Sequence, residues 1–160
     1  MAQGGVFLLV MALAAQNQQQ AQHEQQMHVQ QEKVERYCLT QALYYEARGE
    51  GEMGQLAVAE VILQRQRSKY HPNTICGVVY QPYQFSFVSD GSTLREIDVE
   101  AWNKADDLSG RILSGKVSTG LTGHALFYHA KHVRPYWAGA MVKTTEIGNH
   151  IFYRQTARRS

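Results

Sequence analysis

The sequence predicts an α+β domain that is mainly helical and carries a small antiparallel sheet near its C-terminus. Residues 53–67 are apolar on nearly every helical face, which predicts a central helix. Residues 97–113 place their apolar side chains on one face, which predicts an amphipathic helix packed on the core. Between residues 125 and 153, aromatic and β-branched residues form short runs that are typical of strands. Helices followed by strands indicate the α+β class.

Length and charge limit the function classes. At 160 residues the chain has room for one domain with a hydrophobic core. The formal net charge is only +2, so nothing in the composition indicates a nucleic-acid partner. The basic excess gathers in residues 156–160, which we expect to be a solvated tail. We expect a monomer.

The N-terminus carries an apolar run, Val6 to Ala15. A helix of this length is too short to cross a bilayer, which needs about 20 residues. It fits the apolar region of a signal peptide, although no Lys or Arg precedes it. We expect residues 1–15 to be an export signal or a short anchor with weak membrane association, with a buried helix as the alternative. Residues 16–36 are then expected to be a Gln-rich spacer helix, and residues 37–155 the main folded domain of a protein exported to the periplasm or cell envelope.

Residues 44–55 combine carboxylates, an arginine and glycines directly before the central helix. A carboxyl group acts as an acid near neutral pH where an apolar wall meets a polar cleft, because desolvation raises its pKa. Glu46 is the best candidate, since it ends a predicted helix from Cys38 to Ala47 and shares a face with apolar residues.

The rest of this stretch is interpreted as a loop. Gly49 is expected to stop the helix in a left-handed conformation. Glu50 and Glu52 are expected to be solvated, and the alternative is that Glu46 is solvated too. Arg48 beside Glu46 would hold the acid in its charged form, so we expect Arg48 to turn away, toward Glu50.

Several motifs in order resemble the cell-wall hydrolase family that includes the spore cortex-lytic enzymes of germination. The resemblance covers residues 37 to 153. The matching segments are YYEARGE at 44–50, GQLAVA at 54–59, VILQR at 61–65, PNTICGVVY at 72–80, QFS at 84–86, ALFYH at 125–129 and IGNHIFY at 147–153.

The resemblance implies a lysozyme-like, lytic transglycosylase-like fold that acts on the glycan strands of peptidoglycan. It implies Glu46 as the single acid and base, cleavage between N-acetylmuramic acid and N-acetylglucosamine, and no metal or cofactor. Amide, hydroxyl and aromatic groups suit a sugar ligand. The family-matched positions expected to bind substrate are Tyr45, Gln55, Gln84, Phe85, Ser86, Tyr128 and His150.

Two further carboxylates have open roles. Asp90 is the candidate second carboxylate, should the enzyme be a muramidase that activates water. Glu60 interrupts the apolar run of the central helix. It is either a second carboxylate in a cleft or a buried partner of an arginine.

The two cysteines, Cys38 and Cys76, are expected to form a disulfide, because an export segment would place them in an oxidising compartment. The bridge would join the helix that carries Glu46 to the short helix predicted from Ile75 to Tyr80. Two buried free thiols are the alternative.

Two other functions remain open. One is a zinc-dependent N-acetylmuramoyl-L-alanine amidase that uses His124, His129, His132 and His150. His124 and His129 would face opposite sides of a strand, and no paired zinc motif is present, so we expect no metal. The other is a non-catalytic peptidoglycan-binding module. The biological setting is either a phage lysis enzyme (an endolysin) or bacterial wall remodelling.

Overall fold

The structure is a computed structural model that describes residues 3–90, 96–117 and 120–156, with side chains from residue 11 onward. By its internal contacts the chain divides into two units, Met1–Val34 and Glu35–Ser160. The predicted basic tail lies outside the described residues from position 157 onward.

Helix α1 extends over Gln3–Ala47. The sequence predicted two helical segments here, but residues 6–48 contain no Gly or Pro to interrupt a helix. Side chains 11–34 are exposed on every face, so this part of the helix depends on the propensity of its Gln, Glu and Ala residues. Among the described residues, no helix is both long and apolar enough to span a bilayer.

Three more helices build the core of the second unit. They are α2, Gly51–Arg67, α3, Ile75–Val79, and α4, Val99–Leu113. Short 3₁₀ turns lie at Ser86–Val88 and Ala138–Ala140. Helix α2 is buried along most of its length, as its apolar sequence predicted. It packs against the buried end of α1 and against α3 and α4 in one cluster.

Local side chains set the helix boundaries. The Thr74 side chain accepts a hydrogen bond from Gly77 N at 3.0 Å and caps α3. The Asp98 carboxylate accepts from Ala101 N at 3.1 Å and starts α4 two residues later than the apolar pattern indicated. The left-handed residue between α1 and α2 is Gly51, with φ +68°, so the expectation for Gly49 is wrong.

A three-stranded antiparallel sheet follows the helices. Its strands are β1, Phe127–Ala130, β2, Val142–Ile147, and β3, His150–Arg154, in the order β1-β3-β2. The hairpin between β2 and β3 turns at Gly148, whose φ is +57°. A bulge lies between Lys143 and Thr145 on β2.

The two faces of the sheet carry different aromatic clusters. Tyr128, His150 and Phe152 share one face, and Phe152 and Tyr128 pack against Ala57 and Val61 of α2. We call this the inner face. The opposite face holds a second cluster that consists of Phe127, His129, Trp137 and Tyr153.

The predicted disulfide is confirmed. Cys38 of α1 and Cys76 of α3 are bonded, with their Cα atoms 5.1 Å apart. Beside it, the Glu35 carboxylate accepts a hydrogen bond from Cys76 N at 2.9 Å. The start of α3 is therefore tied twice to α1.

Glu60 has neither of the roles that the sequence indicated. It is 2% exposed. Its Oε2 accepts hydrogen bonds from Leu121 N at 2.8 Å and Thr122 N at 3.1 Å. The carboxylate pairs with two backbone amides instead of an arginine, and it anchors the connection that leads into β1.

Candidate active site

Glu46 lies one residue before the end of α1 and is half-buried. The Ser86 hydroxyl donates a hydrogen bond of 3.4 Å to Glu46 Oε1. Burial raises the pKa of Glu46 above its ordinary value, and the negative charge of Asp90 raises this pKa further. Hydrogen bonds from the Ser86 hydroxyl and from the backbone amides of Ser86 and Phe87 act in the opposite direction. The site therefore favours a protonated carboxyl while keeping donors ready for its anion.

Aromatic rings form the apolar wall behind Glu46. Tyr45 stacks on Phe87 with ring centroids 4.9 Å apart, and it meets Tyr44 edge-on at 4.8 Å. Tyr44 and Phe87 are fully buried, whereas Tyr45 is half-buried. These rings lie on the end of α1 and on the 3₁₀ turn, the two segments that meet at Glu46 through the Ser86 hydroxyl.

Phe85 is not part of that surface. It is only 3% exposed, and its ring packs against Phe87 and beneath the guanidinium of Arg65. The expectation that Phe85 binds substrate does not fit this packing, because its ring is almost completely buried. The alternation in this segment buries Phe85 and Phe87 and leaves Ser86 exposed beside Glu46.

Tyr128 of the inner face is electrostatically coupled to Glu46. Burial raises the pKa of Tyr128, and the charge of Glu46 raises it further. Its phenol is therefore neutral at physiological pH and available as a hydrogen-bond donor. The Tyr128 ring contacts His150 edge-on, with ring centroids 5.1 Å apart.

His150 is 7% exposed, and its Nδ1 has no hydrogen-bond partner in the described part of the chain. Burial lowers the pKa of His150, and nearby His129 lowers it further, whereas the Glu50 carboxylate opposes both effects. The ring is therefore neutral at physiological pH, with one polar atom that is buried and unpaired.

The remaining predicted site residues lie in different places. Ser86 and Asp90 are exposed, and Gln84 is half-buried. Gln55 is 8% exposed and lines an open cleft of about 680 Å³ between α2 and α4. Glu46 is not among the residues that line this cleft, so Gln55 and Glu46 do not line a common cleft here.

Arg48 turns away from Glu46, but not toward Glu50. Its Nη1 donates to the Tyr44 hydroxyl at 2.9 Å, and its guanidinium lies 5.0 Å from the centroid of the Tyr44 ring. Within the described ranges, no ion pair joins Arg48 to either glutamate. Tyr44 precedes Arg48 by four residues, so the two side chains extend from the same side of the helix end.

Sequence reasoning missed Glu50. It is half-buried, and its Oε2 accepts a hydrogen bond of 2.6 Å from the backbone N of Asn149. Glu52, by contrast, is an exposed partner of Arg111 at 3.0 Å, as a solvated charge would be. The glycines at positions 54 and 148 were the sequence features that could have indicated a packed role for Glu50, because both lack a side chain where Glu50 packs.

The histidines do not assemble into a metal site. In the described segments, no group of three or more His, Cys, Asp or Glu side chains could hold an ion. Both ring nitrogens of His129 already have partners, at 2.9 Å from Ala130 O and 3.0 Å from the Tyr153 hydroxyl. His124 contacts Gln64 instead, at 3.4 Å.

A family profile described as cell wall hydrolase matches residues 49–153. The chain belongs to the cell wall hydrolase family. Glu46 lies just before the matched range, so its assignment depends on the geometry described above.

Curated relatives of this cell wall hydrolase are spore cortex-lytic enzymes. The chain is 35% identical to the enzyme of Halalkalibacterium halodurans over 115 residues, and the aligned region covers 71% of this chain and 33% of the relative. It is 34% over 122 residues with that of Bacillus cereus, which covers 71% of this chain and 42% of the relative. The chain thus spans less than half the length of these relatives.

Two solved structures are similar over most of their length. The catalytic domain of the Bacillus cereus SleB protein has a TM-score of 0.61 and 32% identity, over 76% of this chain and 91% of that one. The catalytic domain of the germination-specific lytic transglycosylase SleB from Bacillus anthracis has a TM-score of 0.62 and 33% identity, over 75% and 93%. The fold predicted for the cell wall hydrolase is confirmed.

Proposed function

We propose that this chain is a peptidoglycan glycosidase of the lytic transglycosylase type, with Glu46 as its single acid and base. The observation that carries the proposal is the position of Glu46, half-buried against an aromatic wall, with a raised pKa and a hydroxyl donor at 3.4 Å. The similarity to a lytic transglycosylase catalytic domain supports the same reaction.

The proposed reaction uses the Glu46 carboxyl group twice, first as an acid and then as a base. Glu46 first donates its proton to the oxygen that joins C1 of N-acetylmuramic acid to N-acetylglucosamine. The C1–O bond breaks, and the N-acetylglucosamine leaves with a free 4-hydroxyl. The Glu46 carboxylate then takes the proton of the muramic acid C6 hydroxyl, whose oxygen bonds to C1 and closes a 1,6-anhydro ring. No water is consumed, and Glu46 ends protonated, as it began.

Asp90 has an electrostatic role in this scheme. Its charge raises the pKa of Glu46, so it helps to keep the acid protonated before the reaction. A muramidase that activates water would instead use Asp90 as its second carboxylate. We favour the single-carboxylate route because Asp90 is exposed, whereas Glu46 is set against an apolar wall.

Substrate contacts follow from what lies beside Glu46. The Ser86 hydroxyl is proposed to stabilise the Glu46 carboxylate that forms after proton transfer, since it already donates a hydrogen bond to Glu46 Oε1. Tyr128, as a neutral phenol, is proposed as a donor for a sugar oxygen, and His150 is proposed to support it through the ring contact on the same face. Tyr45 and Gln84 are proposed to form the wall of the glycan groove.

The N-terminal assignments are also proposals. Residues 1–15 would export or tether the chain, residues 16–36 would be the spacer, and residues 37–155 the catalytic domain, in the periplasm or cell envelope. The exposed helical stretch from residue 11 to 34 supports a spacer, because it makes no core of its own. Mass analysis of the mature protein from the envelope fraction would test whether the first residues are removed.

The test is release of soluble fragments from purified peptidoglycan by the full chain, beside Glu46→Gln. Glu52→Gln is the matched control, because Glu52 lies on the same turn but is an exposed ion-pair partner. We expect the wild type and the control to release glycan fragments and Glu46→Gln to release none. Loss of activity with a chelator, with release of free peptides, would favour the zinc amidase. Binding without release by any variant would indicate a non-catalytic module.

A further inference from the structure

Glu50 joins the turn after Glu46 to the β2–β3 hairpin. Its Oε2 accepts a hydrogen bond of 2.6 Å from Asn149 N, across 99 positions of sequence. A hydrogen bond from an amide to a carboxylate is stronger than one between neutral groups. This contact therefore fixes one end of the sheet against the segment that carries the acid.

Two glycines make room for this side chain. A Cβ on Gly148 would overlap Glu50 Oε2, and a Cβ on Gly54 would overlap the Glu50 Cβ. Gly148 also adopts a φ of +57°, a conformation that other residues reach only with strain. The hairpin turn and the first turn of α2 are both shaped around Glu50.

The hairpin that Glu50 holds continues directly into the inner face. Asn149 precedes His150, whose ring contacts Tyr128 at 5.1 Å, and Tyr128 is coupled to Glu46. Glu46 and Glu50, on either side of the turn between α1 and α2, thus each interact electrostatically with one ring of the Tyr128–His150 pair. Glu46 affects the pKa of Tyr128, and Glu50 affects the pKa of His150.

We propose that Glu50 is a positioning residue for catalysis: its hydrogen bond to Asn149 N holds the hairpin so that His150 and, through their ring contact, Tyr128 keep their positions on the inner face. The inference rests on the proposed function of Glu46. It assigns Glu50 no contact with substrate.

Two conservative variants of Glu50 separate the effect of its side-chain length, and so of its hydrogen bond, from the effect of its charge. Glu50→Gln keeps the length of the side chain and an acceptor oxygen for Asn149 N, but it removes the charge. Glu50→Asp keeps the charge but withdraws the carboxylate by one methylene, so the hydrogen bond is lost. Glu52→Asp on the same turn is the matched control, because its partner Arg111 is on the surface.

The measurements are kcat and KM for release of glycan fragments, together with the NMR titration of the His150 ring. We expect Glu50→Asp to lower kcat by about 10- to 100-fold with KM little changed, since small displacements of positioned groups have effects of this order. Glu50→Gln should stay within about threefold of wild type, since hydrogen-bond geometry is retained. Its His150 pKa should fall, because the charge that raises this pKa is gone.

Two results would overturn the proposal. One is a kcat for Glu50→Asp that equals the wild-type value, in protein whose Asn149 amide shift proves that the hydrogen bond is broken. The other is a Glu50→Gln variant that is as impaired as Glu50→Asp, which would make the charge decisive. If wild-type protein released no glycan fragments, the proposed function would fail instead. The Asn149 and His150 signals would still report whether Glu50 holds the hairpin.

Discussion

The Ser86 hydroxyl donates to Glu46 Oε1 at 3.4 Å, and this contact opposes the burial that raises the pKa of the same carboxyl. The two effects come from neighbouring residues on one 3₁₀ turn, since Phe87 beside Ser86 forms part of the buried wall. The segment therefore favours the protonated form of Glu46 through burial and also offers hydrogen bonds to its carboxylate form. The balance between these two effects on the pKa of Glu46 can be measured through the pH dependence of activity.

Removing the Ser86 hydroxyl should shift the pH profile. The hydrogen bond from Ser86 lowers the pKa of Glu46, so Ser86→Ala should raise this pKa further. Activity requires protonated Glu46 and is lost as pH rises through its pKa, so the falling limb of kcat against pH should move to higher pH. Ser89→Ala is the control, because Ser89 Oγ donates to the Ser86 backbone and not to Glu46. A limb that stays in place, or moves to lower pH, would contradict this assignment.

Replacing the acid should stabilise the fold at alkaline pH. Burial raises the pKa of Glu46 in the folded protein, so the folded state loses stability as pH rises through that pKa. Below the unfolded pKa the group is protonated in both states, and its ionisation has no effect on the free energy of unfolding. The unfolding midpoint of Glu46→Gln relative to wild type should therefore increase as the pH rises above the ordinary glutamate pKa of about 4. A difference that is constant across this range would show that Glu46 is not desolvated.

The disulfide should contribute strongly to stability. Cys38 and Cys76 are 38 positions apart, and closing a loop of this length stabilises by about 4 kcal/mol in the chain-entropy description. Reduction should lower the free energy of unfolding by about 2–4 kcal/mol in denaturant titrations. The double variant Cys38→Ala/Cys76→Ala should match the reduced wild type and should not respond to reductant. Equal stability with and without reductant in the wild type would contradict the bridge.

Glu60 should be a structural carboxylate. Glu60→Leu leaves the amides of Leu121 and Thr122 buried without their acceptor, which costs about 1–3 kcal/mol for each unpaired group. Glu100→Ala is the control, because its pair with Lys104 is exposed and should contribute little to stability. Equal destabilisation by the two variants, measured by urea unfolding, would sink this interpretation.

The parts of the fold that follow from local pattern were predictable. The apolar run of α2 lies where the sequence placed it, and the predicted strand segments 125–129 and 147–153 overlap β1 and β3. The Cys38–Cys76 bridge followed from having only two cysteines and from the expectation of an export segment. Side-chain periodicity and residue chemistry contain this information within short windows.

The errors concern contacts that are distant in sequence. Glu60 finds its amides 61 and 62 positions away, and Glu50 finds Asn149 at a separation of 99. Apart from Gly54, nothing near Glu50 in the sequence distinguishes it from the exposed Glu52. Phe85 was misassigned because an aromatic residue in a loop is equally suited to a sugar or to the core, and only tertiary packing decides.

The most direct test of the account is mass spectrometry of the fragments released from purified peptidoglycan in ¹⁸O-labelled water. Attack by the muramic acid C6 hydroxyl predicts 1,6-anhydro ends that carry no label. These ends should be undetectable in a Glu46→Gln digest of the same duration, because loss of the general acid slows the reaction by about 10²–10⁴-fold. Asp90→Asn should still give the unlabelled anhydro ends. Labelled reducing ends in the wild-type digest would mean that water attacks the sugar, and they would contradict the single-carboxylate mechanism proposed for Glu46.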